Sequence, residues 1–205
     1  MRPENTLHST AEKLATELEG TFALETVKRF VTESYDRLAA TAQVSSFLPV
    51  LTERLAREPL RAYAKAEGAI VSHIPEVLVL CTHNAGRSVA ARVLIDHYAK
   101  GRLNVRSAGS APGDTINPAV AEVLAERGLD ASTEFPKPLT DEIAWAADVI
   151  ITMGCGDACP VYPGKRYLDW ELTDPAGKSI DEVRPIVDDI DRRVQALVDE
   201  LLQTS

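Results

Sequence analysis

Residues 76–94, EVLVLCTHNAGRSVAARVL, constrain the fold more than any other stretch of the chain. VLVL is apolar at every position, as a strand covered on both faces must be. A helical pattern resumes after one short turn. The alternation then continues: strand at NVRSAG (104–109), helix at 117–128, strand at DVIITM (148–153), strand at RYLDW (166–170). Local signals mark the helix ends. Asn117 caps, Pro118 takes the first helical position and Gly128 stands at the exit. Thr140 opens a short helix, and Ser179 with Glu182 forms a capping box. The last helix is amphipathic, with a break expected at or near Pro185. Strand-helix alternation predicts an α/β domain: a four-stranded parallel sheet with helices on both faces.

Before residue 73 no segment has strand period. Residues 9–19 look helical, with Ser9 or Thr10 as cap. Residues 22–41 space Phe22, Leu24, Val27, Phe30, Val31, Tyr35, Leu38 and Ala39 along one helical face. A third helix runs from a cap at Ser45 or Ser46 to about residue 56, and Pro59 interrupts it and opens a short fourth piece. The expected division is a small all-α three-helix bundle at 1–72 and the α/β domain at 73–205.

Composition excludes several functions. The 205 residues carry a net charge of −9 and are 45% apolar but only 5% aromatic. An acidic surface poor in stacking rings is unsuited to nucleic acid. No apolar run approaches the roughly 18 residues of a membrane span, and MRPENTLHST has no signal-peptide pattern. A soluble cytoplasmic protein is expected. The three cysteines, Cys81, Cys155 and Cys159, are an odd number and no disulfide framework. They also lack a second ligand pair at zinc spacing, so no metal is expected.

The turn after the first strand carries the chemistry. It lies at the carboxyl edge of a parallel sheet, where ligands bind in open α/β folds. Its backbone amides and the following helix N-terminus form an anion cradle. Gly86 is expected to supply a positive φ, and Asn84 tolerates left-handed geometry. Arg87 offers a planar fork for two oxygens of a tetrahedral anion. Cys81 stands among amides, a helix dipole and a guanidinium, each favouring the thiolate, and Ser88 is placed to donate to it. The candidate oxyanion site is Thr82, His83, Asn84, Ala85, Gly86, Arg87 and Ser88.

CTHNAGRS after a first strand resembles the phosphate loop of low-molecular-weight protein tyrosine phosphatases and of their relatives, the thiol-dependent arsenate reductases. The likeness covers roughly residues 75–203 and includes Ser107–Gly109 and the Asp-Pro of TDPAG. It implies that Cys81 is the nucleophile and that Asp174 is the general acid. Asn-Ala-Gly in the loop and the helical leader resemble actinobacterial members.

Two chemistries then diverge. A phosphatase hydrolyses its adduct, whereas a reductase needs further thiols. Cys155 and Cys159 sit together in ITMGCGDACPVYPG, a glycine- and proline-rich loop after the third strand. Residues four apart on a helix have Cβ atoms about 5–6 Å apart, and a disulfide wants about 3.5–4.5 Å, so pairing requires a local shift. Resemblance to thioredoxin-coupled arsenate reductases implies a relay from Cys81 to Cys155 to Cys159, recycled by thioredoxin, with no bound cofactor. Coupling to mycothiol is the second possibility, a tyrosine phosphatase the third, and a non-enzymatic oxyanion or arsenite sensor the fourth. Ala176 and Gly177 after the Asp-Pro, where phosphotyrosine enzymes carry tyrosines, favour a small inorganic anion. For the leader, dimerisation, docking of the reductant and plain stabilisation all fit.

Overall fold

The computed structural model describes residues 3–18, 22–41, 48–66, 74–154 and 159–203. Two compact units divide at residues 71 and 72.

In the first unit three helices pack on one another: α1 (Glu4–Glu17), α2 (Leu24–Thr41) and α3 (Leu48–Ala66). Leu7, Ala11, Leu14 and Leu18 fall on one face of the first chain segment and meet Val27 and Val31 of α2 and Ala56 and Leu60 of α3. Full burial of one such leucine contributes about 1.5–3 kcal/mol. Two expectations are corrected here. α1 begins after Pro3, so Ser9 and Thr10 lie inside it and cap nothing. Leu7 extends the apolar stripe one turn upstream, and its burial carries the helix with it. Nor does Pro59 break α3. An interior proline costs about 3 kcal/mol, but its neighbours Ala56 and Leu60 are fully buried and hold the helix across it. Ser45 and Ser46 lie outside the described residues.

The second unit is built on β1 (Glu76–Cys81), α4 (Arg87–Ala99), β2 (Asn104–Gly109), α5 (Pro118–Glu126), α6 (Asp141–Ala146), β3 (Val149–Thr152), β4 (Arg166–Asp169) and α7 (Ile180–Gln203). All strand pairs are parallel, in the order β2-β1-β3-β4. β1 is buried along its whole length. Val77, Val79 and Cys81 join Val149 and Ile151 in a core shared with α4, α5 and α7. Leu78, Leu80 and Ile150 point the opposite way and are equally buried, with α6 packed on that side of β1. α7 runs straight through Pro185, contrary to the expected break, because Val183, Ile186, Val187 and Ile190 around it are all buried. Half of the expected capping box is present: Glu182 accepts from both the Ser179 backbone N–H and its hydroxyl, while the Glu182 N–H donates to the Ser179 carbonyl and not to its side chain.

This order fixes the site. The chain leaves β1 toward β2 on one side and later returns to β3 on the other, which opens a crevice at the carboxyl end of β1. Register places Cys81 opposite Gly109 and Leu80 opposite Thr152. No described helix is long and apolar enough to cross a membrane.

Two predictions test this packing. Ile151→Ala, at the centre of the sheet, should cost about 2–5 kcal/mol in chemical denaturation. In the bundle, hydrogen bonds from Lys13 and then Arg57 hold the Glu53 carboxyl below its ordinary 4.5. A lowered folded-state value adds stability above the unfolded value and loses it as pH falls through the folded one. The gap in thermal stability between wild type and Glu53→Gln should therefore close as pH is lowered from about 7 to about 3.

Candidate active site

The turn Thr82–Gly86 is held from outside. Thr82 O accepts from Ala111 N (2.9 Å), His83 O from Gly113 N (2.8 Å) and Ala85 O from Asn117 N (2.8 Å). With these carbonyls tied outward to the segment after β2, the intervening amides are left to face the pocket, as an anion nest requires. The closeness of the two segments explains the glycine of SAG: a Cβ on Gly109 would lie 2.6 Å from Thr82 O and 2.9 Å from Asn84 N.

Asn84 is fully buried and takes the left-handed conformation, φ 47°. Its Oδ1 accepts from the Lys137 backbone N–H at 2.8 Å, which turns its Nδ2 toward Ser88 Oγ, also at 2.8 Å. Ser88 Oγ lies 3.0 Å from Cys81 Sγ. Since the serine oxygen already accepts from Asn84, its own proton is free to point at the sulfur. A chain of hydrogen bonds thus runs from the Lys137 amide through Asn84 and Ser88 to Cys81.

Gly86 has φ −140°, outside the left-handed region, so the expected positive φ is corrected. Glycine is required there for space. A Cβ would meet Pro175 Cγ at 2.7 Å. The Asp174-Pro175 turn therefore lies directly on the cradle, and two polar contacts keep it there. Asn117 Nδ2 donates to Pro175 O at 3.0 Å, and Arg87 Nη2 to Asp174 Oδ2 at 2.8 Å. Asp174 also accepts from the Ala176 N–H through Oδ1. Arg87 is buried while Asp174 is half exposed, so the carboxylate sits at the mouth. Any oxyanion entering competes with it for the same fork.

Cys81, His83, Arg87, Asn117, Asp174 and Pro175 line a cavity of about 200 Å³. Among the described residues His83 is the one aromatic side chain on its wall. The structure brings the whole predicted loop together with Asp174. It also places Gly154, after β3, against Arg87: a Cβ there would meet Nη1 at 2.7 Å, and Thr82 Oγ1 donates to Gly154 O at 3.4 Å. Cys81 carries a free thiol and Cys159 is disulfide-bonded. Cys155 lies outside the described residues. No metal-binding cluster occurs among those described.

Sequence reasoning took Asn117 for a helix cap only. It is one, accepting from Ala119 and Val120 N–H, but the same residue also joins the cradle to the Asp-Pro turn. An Asn-Pro helix start was the visible signal. Lys137, Glu134 and Arg92, behind the cradle, gave none.

A cysteine at the foot of an amide cradle, an arginine fork and a facing carboxylate, all at the carboxyl edge of a parallel sheet, form the candidate oxyanion site. Residues 76–205 match the low molecular weight phosphotyrosine protein phosphatase family, and the chain belongs to it. Residues 7–64 match the protein-tyrosine-phosphatase-like N-terminal domain. A thioredoxin-dependent arsenate reductase of Corynebacterium glutamicum is 46% identical and covers 98% of both chains, with a TM-score of 0.84. An arsenate reductase of Archaeoglobus fulgidus is 34% identical over 60% of this chain and 98% of its own, with a TM-score of 0.52. An arsenate reductase of Brevibacillus brevis is 33% identical over 124 residues, 58% of this chain and 90% of its own length.

Gly86→Ala should push Pro175 and its aspartate off the cradle. With the competing carboxylate displaced from the Arg87 fork, inorganic phosphate, used as a competitor against alkylation of Cys81, should then protect the thiol at least as well as in wild type.

Proposed function

We propose that this chain reduces arsenate to arsenite. The observation that carries the reading is the free, buried Cys81 thiol at a cavity of about 200 Å³ shared with Arg87 and Asp174. Similarity over nearly the whole chain to a thioredoxin-dependent arsenate reductase supports both the substrate and the reductant. The small cavity, walled by Pro175 and Ala176, suits an inorganic anion better than an aryl ester.

Arg87 and the amides of Thr82–Ser88 hold the arsenate oxygens. The Cys81 thiolate bonds to arsenic, and one As–O bond breaks as Asp174 protonates the departing oxygen. Cys155 attacks the Cys81 sulfur. An S–S bond forms and the S–As bond breaks. Its electron pair stays on arsenic, which leaves as arsenite. Cys159 then attacks Cys155, frees Cys81 and closes a disulfide with Cys155. A thioredoxin-like dithiol returns the two electrons. Gly154, beside Arg87 and Thr82, supports this order, because Cys155 is the next residue in sequence. A disulfide on Cys159 beside a free Cys81 is the distribution that the final exchange leaves. The leader, residues 1–72, is a separate domain in this reading.

The test is arsenate-dependent NADPH consumption with thioredoxin and its reductase, run beside mycothiol and its own reductase chain. Turnover with thioredoxin should vanish in Cys81→Ser, Cys155→Ser and Cys159→Ser. Turnover with mycothiol alone, surviving the latter two substitutions, would refute the relay. Hydrolysis of an aryl phosphate without arsenate turnover would refute the reductase.

A further inference from the structure

Behind the cradle lies an ionic cluster for which the chemistry above has no use. Lys137 is 2% exposed and Glu134 8%. Glu134 Oε1 accepts from Arg92 Nη1 at 2.5 Å, and its Oε2 lies 3.5 Å from Lys137 Nζ. The Lys137 ammonium also stands over the Phe135 ring, 5.3 Å from its centroid. In a chain of net charge −9, a lysine this deeply buried is a costly placement.

Its location suggests why it is there. Arg92 and Ser88 are four residues apart on α4, hence on the same face. Both reach the segment that contains Lys137, by different routes. Ser88 reaches it through Asn84, whose Oδ1 accepts from the Lys137 backbone N–H at 2.8 Å. Arg92 reaches it through the Glu134 carboxylate. The segment is pinned on its far side as well, since Gly109 N donates to Lys137 O and Leu139 N to Gly109 O. Two parallel ties therefore join α4 to residues 134–137. One is ionic, and the other ends on Cys81 Sγ through Ser88 at 3.0 Å.

We propose that Arg92, Glu134 and Lys137 form an ion clamp that positions the nucleophile: it fixes the distance between α4 and the 134–137 segment at which the Lys137 N–H orients Asn84, Asn84 orients Ser88, and Ser88 points its proton at Cys81. The proposal rests on the reading of Cys81 as the reacting thiol. These three are positioning residues, since none lines the cavity around the sulfur.

A stability role and a positioning role separate in a charge-paired variant. Lys137→Met with Glu134→Gln removes one charge of each sign, keeps the volumes close and leaves Arg92 its second partner, Asp96, at 3.5 Å. Exchange of a buried pair for neutral groups of similar size is often harmless to stability. The measurements are the melting temperature, the alkylation rate of Cys81 by iodoacetamide followed by peptide mass, and kcat and KM for arsenate. With positioning, the double variant melts near wild type, yet its Cys81 alkylation rate and kcat fall at least about tenfold while KM changes little. Arg92→Leu, which opens the clamp at its other end and leaves the Lys137–Glu134 pair in place, should lower the same two rates. Alkylation and kcat within about twofold of wild type in either folded variant would overturn the proposal, as would loss of folding in both. Cys81→Ser keeps the two readings apart. Turnover retained in that variant would defeat the nucleophile assignment, while the alkylation rate still reports whether the clamp sets the state of the sulfur.

Discussion

The site depends on the outward capture of three carbonyls. Thr82, His83 and Ala85 each give their oxygen to an N–H of the segment after β2. A five-residue turn would otherwise rotate its peptides freely, and an amide nest forms only when the opposite ends of those peptides are already engaged. The constraint comes from the sheet. β2 lies beside β1, in register from Glu76 with Asn104 to Cys81 with Gly109. The chain leaving Gly109 must therefore run along the cradle. Gly109 is where the two backbones come too close for any Cβ.

Upon that frame the Asp174-Pro175 turn is laid by contact. Pro175 fills the space that a side chain at position 86 would occupy, Asn117 holds the Pro175 carbonyl, and Arg87 pairs with Asp174. The arginine pairs with the carboxylate, and in the proposed reaction it offers the same fork to an oxyanion. Such exchange of partners at one buried guanidinium lets the fork stay desolvated and preorganised without leaving a charge unpaired.

Much of this was legible without coordinates. Continuous apolar strands, the Asn117-Pro118 helix start and the pairing of Ser179 with Glu182 are local signals, and β1, α5 and α7 stand where those signals lay. Misreadings clustered at proline and glycine. Pro59 and Pro185 carry a real local cost that reads as a break, but buried neighbours on both sides outweigh it. Gly86 was taken for a conformational glycine, whereas it is a steric one whose reason lies 89 positions further on, at Pro175.

Sequence alone determined the class of fold, the cradle around Cys81 and the arginine beside it, since apolar strand runs, turn chemistry and helix starts are properties of neighbouring residues. Tertiary structure decided which distant groups hold them. Asn84 meets the Lys137 amide across 53 positions, Arg92 meets Glu134 across 42, and Asn117 meets the Pro175 carbonyl across 58. No local pattern encodes those pairings. They follow from strand order and register, which bring the ends of β1, β2 and β3 to one edge and leave buried polar groups no partners but one another.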